Sequence, residues 1–175
     1  MRKTSIFSRI ISLTLVLLIA LTACNKQGET PTPAPEETPE EKRGMDLTGY
    51  NVVYEYGTDG ALLDKIYTLK GAISSRLGVN VSTKIDINTT ETDKEILIGE
   101  TDRAASADAL ARLKQQTSKD AYMIEITDSK IVILGTTEKA TSRAIAVFTN
   151  EYIYQSTEAG LLNIDFGTIY ASTYD

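Results

Sequence analysis

Charged side chains crowd one short segment, Gly99-Glu100-Thr101-Asp102-Arg103, which follows an apolar run and precedes a helical pattern. Loops that lead from a strand into a helix often bind ligands in α/β folds. Glu100 and Asp102 could act as an acid–base pair or hold a hard cation. A structural role is the simpler interpretation, in which Asp102 caps the helix and Thr101 supports the turn. Glu100 and Arg103 are then solvated, and we favour this interpretation.

Aromatic residues offer a second candidate site, because sugar binding requires exposed aromatic faces. The chain has nine tyrosines, three phenylalanines and no tryptophan. Tyr54 and Tyr56 are predicted to share one face of a strand, since alternate residues of a strand point to the same side. Tyrosine is also an ordinary strand residue that buries its ring and leaves its hydroxyl in water. The two tyrosines are therefore sugar-binding candidates, with burial as the commoner alternative.

Two further groups of residues are weaker candidates for ligand sites. Glu55, Asp59 and Asp64 could form a cation site, but their spacing does not match a calcium-binding loop, and a solvated acidic face is the commoner account. Gly135-Thr136-Thr137 could cradle an anion before the last predicted helix. It lacks the GKS or GxGxxG context of phosphate-binding loops.

The composition excludes most catalytic chemistries. The chain has no histidine, which removes the commonest general base and every Ser-His or Cys-His nucleophile. Cys24 is the only cysteine, so neither an intrachain disulfide nor a cysteine metal cluster can form. The formal net charge is −6 and no basic stripe is present, which argues against nucleic acid as a partner. We expect a chain without cofactor, metal or catalytic residues.

The N-terminal residues are typical of an exported protein. A basic start precedes an apolar run at residues 10–21, which is the order of a signal peptide. This run is shorter than the roughly 20 residues that cross a bilayer. The quartet Leu21-Thr22-Ala23-Cys24 resembles the lipobox of bacterial lipoproteins, which implies cleavage before Cys24 and lipid attachment to its thiol. An ordinary signal peptide with an incidental cysteine is the alternative.

The composition changes to Pro, Thr and Glu over residues 25–44, where all four prolines lie. Proline favours extended geometry and the glutamates repel one another, so this segment is predicted to be a disordered tether. The sequence thus divides into a signal peptide at 1–23, the lipidated cysteine and linker at 24–44, and one domain at 45–175. Such a domain can bury a core without disulfides, whereas a catalytic barrel needs about 250 residues.

The domain alternates short β-branched runs with longer helical patterns, which indicates a mixed α/β (α+β) fold. Apolar residues at steps of three and four predict a helix that ends at Gly78. Ile96-Leu97-Ile98 predicts a buried central strand, and Asp128-Ser129 predicts a hairpin turn. In the second helix, Ala107, Leu110 and Leu113 are expected to face inward. The predicted order is β-α-β-β-α-β-β-α-β, at residues 51–56, 62–77, 81–87, 95–99, 103–116, 122–127, 130–134, 138–154 and 161–166.

Three segments resemble the non-catalytic second domain of β-N-acetylhexosaminidases and the N-terminal domain of α-glucuronidases. They are Glu95-Ile-Leu-Ile-Gly-Glu-Thr-Asp-Arg103, Asp120-Ala-Tyr-Met-Ile-Glu-Ile with Lys130-Ile-Val-Ile-Leu-Gly135, and the helix from Gly135 to Phe148. The similarity spans roughly residues 51–154. It departs at Ala140, where the family usually has glycine, and at Arg143, where an aromatic is common. The resemblance implies a zincin-like fold without the zinc centre, which packs beside glycan-degrading domains; the family's catalytic residues lie in a barrel outside the matched segments.

We expect a membrane-anchored extracytoplasmic lipoprotein that carries a non-catalytic accessory domain. Its partners are the membrane, through the lipid on Cys24, and a glycan or a glycan-degrading enzyme. A small glycan- or solute-binding lipoprotein and a carboxylate-only hydrolase are the alternatives. The candidate ligand contacts are Tyr54, Tyr56, Glu100, Asp102 and Arg103.

Overall fold

In a computed structural model, the protein is described over residues 44–116, 119–164 and 166–173. The predicted signal peptide, Cys24 and the linker up to residue 43 lie outside these residues. The elements are β1 (Met45–Asp46), β2 (Asn51–Tyr54), α1 (Gly60–Leu77), β3 (Ser82–Ile85), β4 (Glu95–Ile98), α2 (Ala104–Gln116), β5 (Ala121–Ile126), β6 (Lys130–Gly135), α3 (Glu138–Phe148), a π-helical turn (Thr149–Ile153), β7 (Leu161–Leu162) and β8 (Thr168–Thr173).

The main sheet contains six strands in the order β3-β2-β4-β6-β5-β8. Strands β3, β2, β4 and β6 are parallel, whereas β5 pairs antiparallel with both β6 and β8. The predicted mixed α/β (α+β) fold is confirmed, and so is the hairpin of β5 and β6. Strand β4 lies inside the sheet with all four residues buried, as the sequence indicated.

Hydrophobic cores form on both faces of the sheet. Ile96 and Ile98 belong to the core that α1 and α3 cover, whereas Leu97 belongs to the core that α2 covers. This division follows from the strand geometry, in which successive side chains point to opposite faces. The result is a three-layer arrangement with two helices on one side and one on the other.

Helix α1 ends where its apolar spacing predicts and begins two residues before the predicted start, at Gly60. The Asp59 side chain accepts a hydrogen bond from the Leu62 N–H at its start. Gly78 ends the helix in the left-handed conformation, with φ of 68° and its N–H donated to the Ser74 carbonyl. Among the described residues, no helix combines the length and apolar composition needed to cross a bilayer.

The inward face of α2 differs from the prediction at one position. Leu110 and Leu113 are buried as expected, but Ala107 is exposed. Ser106 and Ala109 occupy the buried positions instead, because residues 106, 109, 110 and 113 follow the helical spacing of one face.

The strand predicted at residues 161–166 is wrong in both length and position. Among the described residues of this range, only Leu161–Leu162 form a strand, and they pair with β1 in a separate two-stranded sheet. Strand β8, which forms the edge of the main sheet next to β5, was not predicted from the sequence. Gly167 leads into it with φ of 78° and donates its N–H to the Ile126 carbonyl, so the chain turns before it joins β5.

Gly135 lies where β6 comes closest to α3. A Cβ atom added at Gly135 would lie 2.4 Å from the Cβ of Ala140, which is fully buried. Glycine at 135 therefore leaves the space that the alanine methyl group occupies. The core therefore accommodates Ala140, although the family that the sequence resembles usually has glycine at this position.

We predict that Gly135→Ala lowers the free energy of unfolding by about 1–3 kcal/mol, because the added methyl group overpacks the contact with α3. Gly71→Ala is the matched control, since nothing lies within 4 Å of a Cβ at this position in α1. The control should be neutral or stabilising by up to about 1 kcal/mol. Chemical denaturation measures both, and equal midpoints for Gly135→Ala and the unmodified chain would refute the close approach.

Candidate functional site

The carboxyl ends of parallel strands β2, β3 and β4 meet at one edge of the sheet, where α/β proteins often bind ligands. Glu55 follows β2, Asp86 follows β3, and Gly99 and Glu100 follow β4. We call this the carboxyl edge. The strand register aligns the last residues of the three strands, namely Tyr54, Ile85 and Ile98.

Asp86 connects the three loops of the carboxyl edge and is only 3% exposed. Its Oδ1 accepts hydrogen bonds from the backbone N–H groups of Tyr56 at 2.9 Å and Ile87 at 2.7 Å. Its Oδ2 accepts the N–H of Asp102 at 2.9 Å. The Asp86 N–H donates to the Tyr54 carbonyl. One carboxylate therefore joins the segments that follow β2, β3 and β4.

Sequence reasoning missed Asp86 because it lies inside the strand predicted at residues 81–87. The observed strand ends at Ile85. An aspartate at the end of a β-branched run was the available signal, since aspartate is rare in strands and its carboxylate accepts nearby backbone N–H groups in turns. No pattern in the sequence indicated that the N–H groups of Tyr56 and Asp102 donate to Asp86, because these bonds depend on the order of the strands in the sheet.

Arg103 is 4% exposed, so the prediction that it is solvated was wrong. Its guanidinium donates to the carbonyls of Thr89 at 2.9 Å and Asp86 at 3.4 Å. It also donates to the Glu95 carboxylate at 3.4 Å and pairs with the Asp102 carboxylate. These bonds fix the loop between β3 and β4. The guanidinium points into the protein and is occupied there, which removes Arg103 as a surface ligand contact.

Glu95 completes this polar network from the first position of β4. It is 1% exposed and accepts the Thr92 N–H at 3.0 Å and the Lys130 ammonium at 3.1 Å. Burial opposes the charge on Lys130, but hydrogen bonds to Glu91 and Glu95 outweigh it and raise the pKa of Lys130. The buried carboxylate therefore lies between two cations, Lys130 and Arg103, which offset its desolvation.

Asp102 does not cap α2 as predicted. Its carboxylate pairs with Arg103, and its N–H is bound by Asp86. The Arg103 carbonyl accepts the N–H groups of Ser106 and Ala107 in the first turn instead. The Thr101 hydroxyl lies 2.7 Å from the Ser106 hydroxyl, so Thr101 supports the turn.

Glu55, Glu100 and Asp102 have exposed carboxylates at this edge, and that of Asp102 is paired with Arg103. Partial burial raises the pKa of Glu55, and the negative charges of Glu100 and Asp86 raise it further. A carboxyl group that holds its proton more tightly could serve as an acid. Among the described residues, no group of three or more Cys, His, Asp or Glu could hold a metal ion.

Tyr54 and Tyr56 do not form the shared strand face that the sequence suggested, because β2 ends at Tyr54. Tyr54 is half-buried against the core, and its pKa is raised by burial and by a hydrogen bond with Tyr67. Tyr56 lies in the following turn and is 65% exposed. Among the predicted ligand contacts, Tyr56 and Asp102 lie close together, because their backbone N–H groups both donate to Asp86. Tyr54 lies under α1 instead.

Three residues of the two weaker groupings, Asp59, Thr136 and Thr137, have structural roles. Asp59 caps α1, so its carboxylate is bound by the helix. The Thr137 hydroxyl caps α3 by accepting the Ala140 N–H at 3.2 Å. The Thr136 hydroxyl accepts the Ala121 N–H at 3.1 Å. These groups hold the hairpin and the last helix in place.

Comparison with known proteins shows a likeness in fold only. No protein-family model matches the sequence. No curated protein matches it either. Similar solved structures include BtGH115A, a family GH115 4-O-methyl-α-glucuronidase with specificity for decorated arabinogalactans, with a TM-score of 0.50 and 15% identity over 72% of this chain. CpGH84D has a TM-score of 0.49 and 19% identity over 70% of this chain.

The chain spans only 18% of BtGH115A and 21% of CpGH84D. The fold of this chain therefore corresponds to a small part of BtGH115A. The likeness to BtGH115A is a likeness of fold, and the assignment to a particular domain of glycan-degrading enzymes stays a prediction.

We predict that Glu55→Gln stabilises the protein at neutral pH, by less than about 1 kcal/mol because solvent screens the site. A carboxyl group with a raised folded-state pKa contributes stability below its unfolded pKa and loses that contribution as pH rises through the folded value. The gain should therefore vanish when pH falls below the ordinary value of 4.5. Denaturation at pH 3.5, 5 and 7 measures it, and a gain of the same size at all three pH values would show that the Glu55 charge is not its source.

Proposed function

We propose that the protein is a membrane-anchored extracytoplasmic lipoprotein whose domain is a non-catalytic accessory module for glycan recognition or degradation. One observation carries the non-catalytic part. Two polar side chains of the loops at the carboxyl edge, Asp86 and Arg103, lie where a ligand site would be expected and are committed to structural bonds. Asp86 accepts hydrogen bonds from three backbone N–H groups. The buried Arg103 guanidinium donates to the Glu95 carboxylate and to two backbone carbonyls.

The glycan-related part rests on the fold. A fold that occupies a small part of a much longer glucuronidase fits a module that positions or binds, while another part of the protein performs the chemistry. In this proposal the domain meets a glycan or a glycan-degrading enzyme, and the partner supplies the catalytic groups. The absence of histidine from the whole sequence is consistent with this division of roles.

The anchoring part rests on the N-terminal sequence. An apolar run ends in Leu21-Thr22-Ala23-Cys24, where small residues precede the single cysteine. A single acyl chain binds membranes only marginally, so stable anchoring requires more than one chain on Cys24. The proline- and glutamate-rich linker would then hold the domain away from the membrane surface.

A carboxylate-only hydrolase is the second candidate, and one observation favours it. The raised pKa of Glu55 beside Glu100 provides an acid and a neighbouring carboxylate. Both side chains are exposed on loops, however, whereas paired catalytic acids depend on distinct local environments that separate their pKa values.

We predict that Cys24→Ser moves the protein from the membrane fraction to the soluble fraction of the producing cells, because no thiol remains to accept lipid. Asn25→Ser is the matched control, since it changes the next residue and keeps the cysteine; it should stay with the membranes. Fractionation followed by immunoblotting measures the distribution. Retention of Cys24→Ser in the membrane fraction would refute lipid anchoring.

The soluble Cys24→Ser chain also tests the non-catalytic assignment. It should release no product from neutral or acidic aryl glycosides above the rate in buffer. Turnover that disappears in Glu55→Gln or Glu100→Gln would replace the accessory module with the carboxylate hydrolase.

A further inference from the structure

Strand β8 forms one edge of the main sheet, and side chains on both of its faces are exposed. The strand pairs with β5 from Thr168 to Thr173. Ile169 is 55% exposed and Tyr170 is 40% exposed, and these neighbouring residues point to opposite faces of the sheet. Ala171 is exposed as well. The strand therefore extends the sheet beyond the part that the helices cover.

The position of β8 is fixed by its neighbour β5. The register places Ile169 opposite Glu125 and Tyr170 opposite Ile124, which belongs to the core under α1 and α3. The ring centroids of Tyr170 and Tyr122 are 5.8 Å apart, so an aromatic contact holds the exposed tyrosine on that side of the sheet. An edge strand held in this way needs little rearrangement before it accepts another strand.

The two edges of the main sheet differ in their chemistry. An edge strand presents N–H and C=O groups that another strand can bind, and proteins often protect such an edge with lysine or proline. The β3 edge carries Lys84. The β8 sequence Thr-Ile-Tyr-Ala-Ser-Thr contains no charged residue and no proline. Among the described residues, β8 has a strand on one side only, and it is the edge that suits a further strand.

We propose that β8 pairs in antiparallel orientation with β8 of a second copy of the chain, which joins the two sheets into one. A symmetry axis perpendicular to the sheet relates the copies, so each face of one sheet continues into the same face of the other. Residues that lie opposite each other must then point to the same side. Tyr170 lies opposite Tyr170 of the second copy, and Ile169 lies opposite its Ala171. This register sets a large side chain against a small one on one face and pairs two aromatic rings on the other.

Charge favours a second copy as the occupant of this edge. The chain has a formal net charge of −6, so two copies approach each other best through a surface without charge. None of the six residues of β8 is charged. The contact also occupies the β8 edge of both copies, which closes the assembly as a dimer. Pairing of β8 with β3 would instead leave a free edge at each end and continue into a filament.

The contact should be reversible. A contact built from one short strand of each copy falls below the roughly 1,600 Å² of a standard stable interface. The proposed lipid anchor would raise the local concentration of chains at the membrane surface. We therefore expect dimers on the membrane and a concentration-dependent equilibrium in detergent solution. The pairing of β8 itself depends neither on the lipid nor on the proposed glycan role.

Cysteine cross-linking of the full chain in producing cells tests the contact. Tyr170→Cys places a thiol next to the symmetry axis, so a short, membrane-permeant bifunctional maleimide should give a band at twice the mass of the chain on an immunoblot. Ile85→Cys is the matched control, because Ile85 ends the other edge strand and is 39% exposed; it should stay monomeric. The unmodified chain should stay monomeric too, since the proposed lipid occupies the thiol of Cys24.

An added charge tests whether the β8 edge makes the contact. Ile169→Lys in the Tyr170→Cys chain should weaken the dimer band at least about fivefold, because two lysines then lie close to the symmetry axis. Ser82→Lys adds the same charge to the exposed start of β3 and should change the band by less than about twofold. Native mass spectrometry in detergent repeats the comparison on chains without an added cysteine. Circular dichroism checks that each variant keeps the fold.

Three results would overturn the β8 dimer. The first is a Tyr170→Cys band no stronger than the Ile85→Cys band, and the second is a band that Ile169→Lys leaves unchanged. The third is an equal loss in Ile169→Lys and Ser82→Lys, which would trace the loss to charge at any edge. A band in the unmodified chain would count against lipid on Cys24. Native mass spectrometry then decides, and an equal dimer fraction in the unmodified chain and Ile169→Lys overturns the contact.

Discussion

The Asp86 carboxylate accepts backbone N–H groups from three separate loops, and the arrangement of the carboxyl edge depends on this interaction. Tyr56, Ile87 and Asp102 each donate to it. A buried backbone N–H without an acceptor costs free energy comparable to a lost hydrogen bond. Water reaches this position poorly, because Asp86 is 3% exposed. Strand pairing ends where the loops begin, so it supplies no acceptor for these three N–H groups. The Asp86 side chain, which follows β3, supplies that acceptor.

The polar network around Glu95 also holds the loops of the carboxyl edge in place, through its bond to Arg103. Glu95 and Arg103 are both nearly inaccessible, and Lys130 brings a second cation to the carboxylate. A buried charge is tolerated only when it is paired and hydrogen-bonded, and removal of one partner leaves the others unsatisfied. Asp102 and Arg103, two residues of the charged segment that resembled a reactive cluster in the sequence, therefore hold the loops in place. The proposal of an accessory role rests on this use of charge at the position where other α/β proteins bind ligands.

Local patterns predicted most of the fold but little of the site. The apolar spacing of α1, the buried run of β4 and the turn at Asp128-Ser129 each depend on neighbours in the chain, and each was predicted correctly. Strand β8 was missed because its residues are largely exposed and carry weak alternation. Arg103 was placed in solvent because its acceptors come from residues 86, 89 and 95, which only the tertiary fold brings close.

Amide hydrogen exchange measured by NMR tests the role of Asp86 most directly. If Asp86 is the common acceptor, the amides of Tyr56, Ile87 and Asp102 exchange at least about 100-fold more slowly than those of an unstructured chain, although all three lie in loops. All three should then accelerate together in Asp86→Ala, while the amides within β4 stay protected. Exchange of these three amides at the unstructured rate in the unmodified protein would contradict the central role of this carboxylate.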